Sequence, residues 1–373
     1  MSDEIRESYE RVPYDSGIHP QTHPLSLATM AWLHGLESAS PARCRVLELG
    51  CADGGNLLSM ATAAPESTFV GLDFVPSQIE AGTARVRELG LTNVELRAGS
   101  IMDIDAAAGL FDFIICHGVF SWVGHDVQEK ILSICRENLA PEGIAYISYN
   151  TLPGWHFRNM LRDMVQFHAR EGDSAEETAR RSLEMVKILA GANAGLQHPY
   201  AMYLQTVRSL LESTKSPGYL VHEYLERTNE PILFRDFARR AGKQKLQYVC
   251  EADATAADID HFPLVLATKI RGLSPDRLDR EQYVDFTVGR TFRRTLLAHA
   301  GRPMSVALDP NRIRSLSLRS NSKTQHPLVA TLAEAWPEWM PFEDLKTRSG
   351  GEDGNIEKTL ASLFVTGHVE LRT

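Results

Sequence analysis

The stretch Val46-Leu47-Glu48-Leu49-Gly50-Cys51-Ala52-Asp53-Gly54-Gly55-Asn56 decides the fold. An apolar strand runs into a glycine-rich turn and then, through Leu57, Leu58, Met60 and Ala61, into a helix. A second apolar run, Thr68-Phe69-Val70-Gly71-Leu72, ends on the acid Asp73. Strand, turn, helix, strand and acid in this order form the first βαβ unit of a nucleotide-binding α/β sheet. The glycines let backbone approach a ligand closely, and the acid can take a ribose diol.

Outward from that unit the alternation is regular. Strands are predicted at 45–49, 68–73, 94–98, 111–116 and 143–149, with helices at 55–64, 77–89 and 126–139, giving a parallel doubly wound sheet. Gly90 ends one helix, and Pro141-Glu142-Gly143 predicts a turn before the fifth strand. Upstream, Tyr9, Val12, Tyr14, Ile18, His19, His23 and Pro24 form an aromatic, His/Pro-rich lead-in to an apolar helix through Leu27, Met30, Ala31, Leu33 and Leu36. This lead-in is a candidate cover for the mouth of the ligand cleft, or a covering for one sheet face.

After Tyr149 the pattern becomes helical: His156 to His168, a capping box of Ser174 with Glu177, then apolar periodicity through Val186 and Leu189 and again through Leu204, Val207 and Leu211. The sheet resumes with a helix over 234–242 stopped by Gly242, a strand at 246–250, and a last, antiparallel strand from Phe292 to Leu297. Helices at 326–336, 341–348 and 355–366 followed by a strand at 368–371 outline a winged-helix-like domain. Its third helix, Asn355-Ile356-Glu357-Lys358-Thr359-Leu360, has no basic stripe, which favours protein or interdomain contact over DNA. The expected domains are a lead-in at 1–44, a nucleotide-binding core at 45–156, a helical insertion at 157–225, the remainder of the core at 226–302, and the C-terminal domain at 303–373.

With 373 residues, two or three domains are expected. A net charge of −9 disfavours a nucleic-acid partner and suits a cationic one. The five cysteines are scattered with no C-x-x-C pair, so neither a metal site nor a disulfide frame is indicated. An acidic N-terminus and the lack of a long apolar run predict a cytoplasmic protein with no membrane contact.

The charges of the turn select the ligand. Glu48 and Asp53 would repel a pyrophosphate and attract a ligand carrying ammonium and sulfonium cations. Asp73 is the candidate for the ribose hydroxyls, and Gln78 for bracing the same sugar. Past the fourth strand, Phe120 and Trp122 offer aromatic faces to a cation, and His117 is either a general base or a hydrogen-bonded structural histidine. At the C-terminal edge of the fifth strand, where ligands bind in such sheets, Tyr149 and Asn150 are candidates to orient an amine lone pair. Beside them stand Trp155 and His156, the latter a candidate to remove a proton.

The turn Glu48-x-Gly50-x-Ala52-x-Gly54 resembles the E/D-x-G-x-G-x-G turn of class I S-adenosylmethionine (SAM) methyltransferases, with Ala52 in place of the middle glycine. Val12-Pro13-Tyr14-Asp15-Ser16, His23-Pro24, His117-Gly118-Val119-Phe120-Ser121-Trp122-Val123 and Ser148-Tyr149-Asn150-Thr151-Leu152-Pro153-Gly154-Trp155-His156 resemble the bacterial members that carry a methyltransferase regulatory domain. His222-Glu223-Tyr224-Leu225-Glu226 and Glu281-Gln282-Tyr283-Val284-Asp285-Phe286 also resemble that group, whose characterised relatives include protein lysine methyltransferases. The resemblance implies a Rossmann-like seven-stranded sheet, SAM as cofactor, and an adenine site at Gly99-Ser100-Ile101. The implied cofactor set is Tyr14, Glu48, Gly50, Cys51, Asp53, Asn56, Asp73, Phe74, Gln78, Ser100, Ile101 and His117. The substrate pocket is Phe120, Trp122, Asn150 and Trp155, and His117, Tyr149 and His156 are the catalytic candidates. Three activities stay open: methylation of a protein or peptide amine, N- or O-methylation of a small molecule, and SAM-dependent regulation without catalysis.

Overall fold

The computed structural model describes residues 17–170, 172–213, 222–226, 228–256, 259, 262–349 and 355–373. Helix α1 (Pro24–Leu33) starts with proline at its first position and His23 accepting the Leu25 N–H. The first βαβ unit follows as β1 (Arg45–Leu49), α2 (Gly55–Ala63) and β2 (Thr68–Asp73). Next come α3 (Pro76–Glu88), β3 (Val94–Ala98), β4 (Phe111–Cys116), α4 (His125–Glu137) and β5 (Leu139–Asn150). Helices α5 (Trp155–His168), α6 (Ala175–Ala192) and α7 (Pro199–Ser213) then leave the sheet. The chain returns with α8 (Phe234–Lys243), β6 (Leu246–Glu251), α9 (Leu264–Leu273), α10 (Arg277–Val288) and β7 (Phe292–His299).

These strands form one seven-stranded sheet in the order β3-β2-β1-β4-β5-β7-β6. The strands β1 to β5 pair in parallel, and β7 is antiparallel to both β5 and β6. This is a Rossmann-like seven-stranded sheet, as expected. Because β7 runs backwards, its first residues lie at the same edge as the last residues of β1, β4 and β5. Apolar side chains alternate between the two faces, so each face has its own core. Val46, Phe113, Ile115 and Tyr146 belong to one, and Leu47, Leu49, Ile114, Ile147 and Tyr149 to the other.

Three local expectations are corrected. Pro141-Glu142-Gly143 lies inside β5 as a bulge: Leu139 pairs with Phe111 and Ile144 with Phe113, so the extra residues loop out where a proline needs no ladder partner. Gly242 does not stop α8, which continues to Lys243; the left-handed residue that redirects the chain is Lys245, at φ 57°. Ser174 does cap α6 by accepting the Glu177 N–H at 3.2 Å, but the Glu177 carboxylate pairs with Arg180 at 2.6 Å, so the capping box is half made.

The C-terminal part has β8 (Ser317–Arg319), α11 (Pro327–Glu334), β9 (Met340–Pro341), α12 (Phe342–Arg348), α13 (Ile356–Val365) and β10 (Glu370–Arg372). Its three strands pair antiparallel in the order β10-β8-β9. Leu33 of α1 sits in the core of this part, while Leu27 and Ala31 of the same helix sit in the sheet's core, so α1 joins the two bodies. Among the described residues, no helix is long and apolar enough to cross a membrane.

Candidate functional site

A cavity of about 470 Å³ opens at the C-terminal edge of the sheet. Its floor is the turn after β1. Gly50 lies at φ 74°, and a Cβ there would run into the Val119 side chain, so only glycine fits. Ala52 adopts φ 50°, a left-handed conformation that usually belongs to glycine. Asp73, at the end of β2, holds this turn: its Oδ2 accepts the Ala52 N–H at 2.8 Å and its Oδ1 the Val75 N–H at 3.0 Å. Burial raises the Asp73 carboxyl above its ordinary range, against those backbone donors.

Glu48 is buried in the cavity wall, with 3% of its surface exposed. Asn56 donates to its Oε1 at 2.8 Å, whereas Oε2 is buried with no hydrogen-bond partner among the described residues. Burial lifts this carboxyl to about 7, with Asp73 adding to the rise and Asn56 opposing it. Gln78, expected at a helix start, is also buried on the wall, and its Oε1 lacks a partner among the described residues. Two buried acceptors without partners among the described residues, both on residues that line one cavity, suit a ligand that donates hydrogen bonds.

Gly17, His19 and Gln21 of the lead-in line this cavity. His19 donates its backbone N–H to Asn56 Oδ1 at 3.0 Å, and Asn56 Nδ2 also reaches Thr22 Oγ1 at 3.0 Å. The His19 and His117 rings lie 3.9 Å apart, and His117 Nδ1 is 2.8 Å from the Tyr146 hydroxyl. The opposite end is aromatic. Trp122 and Trp155 meet edge to face at 6.3 Å, Arg158 lies over Trp155 at 5.3 Å, and Arg158 pairs with Glu223 at 3.0 Å.

Of the expected residues, Glu48, Gly50, Cys51, Asn56, Asp73, Phe74, Gln78, Ile101, His117, Trp122, Asn150 and Trp155 line this one cavity. Tyr14 lies outside the described residues. Asp53 turns away: it pairs with Arg85 and caps Gly55 N–H at 3.1 Å. Ser100 is occupied in a capping box with Asp103 and leaves the wall to Ile101. Phe120 is fully buried, edge-on to Phe237 at 5.3 Å.

The catalytic candidates fare worse. Tyr149 is 1% exposed on the other face of the sheet, stacked on Phe237 at 4.1 Å with its hydroxyl on Thr295 at 3.0 Å. Burial moves its phenol far above the ordinary range. His156 is exposed at the start of α5 and does not line the cavity. His117 lines it, but burial, then His19 and Arg294, push its imidazole down to about 3. A base that weak has little drive to take a proton from an alkylammonium.

Sequence reasoning placed His19 in a segment that could cover the cleft, and it missed Gln21, Arg158, Thr291, Phe292 and Arg294 as cavity residues. Phe292 and Arg294 are legible only once β7 is known to be antiparallel with its start at this edge. The signal available was the pair Arg293-Arg294 in an otherwise apolar strand: one guanidinium per face. Arg293 is fully buried and bonded to Asp285 at 2.9 Å, Glu251 at 2.8 Å and Glu281 at 3.1 Å.

A family profile described as "Methyltransferase domain" matches residues 41–222, and one described as "Predicted methyltransferase regulatory domain" matches 216–299. The uncharacterized protein RP789 of Rickettsia prowazekii (strain Madrid E) is 36% identical over 320 residues, 86% of this chain and 58% of that protein. RP028 of the same organism is 38% identical over 237 residues, 64% of this chain and 94% of that protein. The chain therefore spans all but a small part of RP028 and little more than half of RP789. Among solved structures, PKMT2 from Rickettsia typhi in complex with AdoHcy is similar with a TM-score of 0.85 at 29% identity, over 96% of this chain and 77% of that one.

Proposed function

Because the chain belongs to the class I SAM-dependent methyltransferases that carry a methyltransferase regulatory domain, we propose that it methylates an amine of a protein or peptide. SAM, when bound, supplies a methyl group on a sulfonium, an electrophile with a good leaving group. The observation that carries the reading is the buried Glu48 Oε2, without a partner among the described residues, on a wall that Glu48 shares with Asp73 and Gln78. In this reading Glu48 accepts hydrogen bonds from the methionine ammonium. Asp73 takes the ribose hydroxyls with its remaining lone pairs, Gln78 braces the sugar, and Ile101 and Phe74 pack on the adenine.

The aromatic end receives the acceptor. Trp122 and Trp155 offer ring faces and edges to an alkylamine stem and its cation. Asn150, buried on the same wall, orients the nitrogen. A cavity of about 470 Å³ lies at the small end of the ~300–1,000 Å³ range of single-ligand sites. With the cofactor in it, the space left suits one extended side chain better than a second compound of similar size. The likeness to PKMT2, a protein lysine methyltransferase, supports the same acceptor class. No general base is assigned: alignment and exclusion of water carry the rate, and the amine arrives neutral.

The test is two-stage. Titration calorimetry with SAM, AdoHcy and NAD is expected to give binding of the first two only. Incubation with SAM and lysine-bearing peptides, read by mass spectrometry, is then expected to add the mass of a methyl group. Binding without methylation of any peptide or protein, but with turnover of a small amine or hydroxyl compound, would overturn the protein-substrate reading.

A further inference from the structure

The methionine end of SAM carries two charges on one carbon, an ammonium and a carboxylate, so a site that binds the first must meet the second nearby. The Glu48 wall supplies an acceptor for the ammonium. A cationic partner for the carboxylate is to be sought close by, and two guanidiniums line the cavity. Arg158 stands at the aromatic end and already holds Glu223 at 3.0 Å. Arg294 stands at the other.

A chain of contacts joins Arg294 to Glu48. Its guanidinium lies over the Phe292 ring at 5.3 Å, and that ring meets His117 edge-on at 6.2 Å. His117 touches His19, whose backbone bonds Asn56, which in turn bonds Glu48. The Arg294 main chain is also fixed in place. Its backbone N–H donates to Glu251 Oε2 at 2.7 Å and its carbonyl accepts the Ala252 N–H at 2.7 Å. Its Nε is buried with no hydrogen-bond partner among the described residues. Among the described residues its guanidinium pairs with the partly exposed Asp253 at 3.5 Å, a distance at which a surface pair is worth little. A guanidinium on a fixed stretch of strand, with a buried N–H that lacks a partner among the described residues, is suited to a carboxylate.

We propose that Arg294, a residue of the regulatory-domain segment, binds the α-carboxylate of SAM opposite Glu48, so that both halves of the chain hold the cofactor. This inference rests on the cofactor reading above and adds a ligand to it. The test uses the full-length protein and three ligands: SAM, AdoHcy and 5′-methylthioadenosine, which keeps the nucleoside and the sulfur and lacks the amino-acid end. For Arg294→Gln we expect a loss of about 10- to 100-fold in affinity for SAM and AdoHcy, the range of a charged hydrogen bond. Affinity for methylthioadenosine is expected to hold within about twofold, which also shows that the variant folds. Asp253→Asn is expected to leave all three affinities within about twofold.

An equal loss for all three ligands in Arg294→Gln would make Arg294 a structural residue and overturn the inference. So would unchanged SAM affinity, which would move Arg294 to the acceptor side. Failure of the unaltered protein to bind SAM and methylthioadenosine would overturn the cofactor reading itself, and this inference with it.

Discussion

Glu48→Gln replaces a buried carboxyl by a neutral group of nearly the same shape, and the structure sets the size of the effect. The carboxyl rises from an ordinary 4.5 to about 7 on folding, chiefly through burial. The folded state thus holds a proton that the unfolded state releases between those values. Stability linked to that proton is fully present below about 4.5 and is lost as pH rises through about 7. At about 1.4 kcal/mol per pH unit, the loss is a little over ~3 kcal/mol. In the glutamine variant Oε1 still accepts from Asn56, and nothing titrates. Urea unfolding across pH 4.5 to 8 without ligand is therefore expected to show the variant overtaking the unaltered protein by up to about 3 kcal/mol at the alkaline end. SAM titration must show the opposite preference: the unaltered protein gains affinity as the carboxylate ionises, and the variant binds weakly at every pH. Parallel stability curves for the two proteins would refute the account of Glu48 as a carboxylate whose counter-ion is the ligand.

The other sites give distinct expectations. Asp73→Ala removes both the bonds that hold the turn and the ribose acceptor, so calorimetry should show SAM and methylthioadenosine affinity falling together by about 100-fold or more. Ala52→Gly relieves the left-handed φ of 50°, and denaturant unfolding should show a gain of up to about 1 kcal/mol. Tyr149→Phe should cost about 1 kcal/mol of stability through the lost Thr295 bond while leaving turnover unchanged, as should His156→Ala in the same peptide assay. Arg293→Met removes the guanidinium shared by three buried carboxylates, and a loss of about 3–5 kcal/mol should appear as failure to accumulate folded protein.

The first βαβ unit was legible because its rules are local. Glu48, Gly50 and Asp73 are fixed by the turn that joins them, whatever the rest of the chain does. The acceptor end was harder, since it depends on strand faces. Tyr149 and Asn150 were both taken as site residues, yet neighbours in a strand point to opposite faces. Asn150 shares its face with Ser148 and Tyr146, and Tyr149 is committed to the other core. Ser100 was read from its position in a motif, but the following Asp103 captures it in a local capping box. Arg294 was hidden for a topological reason: only the antiparallel pairing of β7 with β5, Arg294 opposite Ser148, brings its end of the strand to the cofactor edge.

The interleaving of the sheet bears on how this protein can be divided and inherited. The two family profiles meet within 216–222, but β7, which covers the flank of β5, and the outermost strand β6 both lie in the second segment. A chain cut at that junction would leave β5, apolar on both faces through Ile144 to Tyr149, as a bare edge open to pairing with other copies. Neither segment is thus a portable module. Recombination that kept one and exchanged the other would have to rematch a strand ladder and the buried ionic cluster around Arg293 at once, so the two are expected to travel through evolution as a pair.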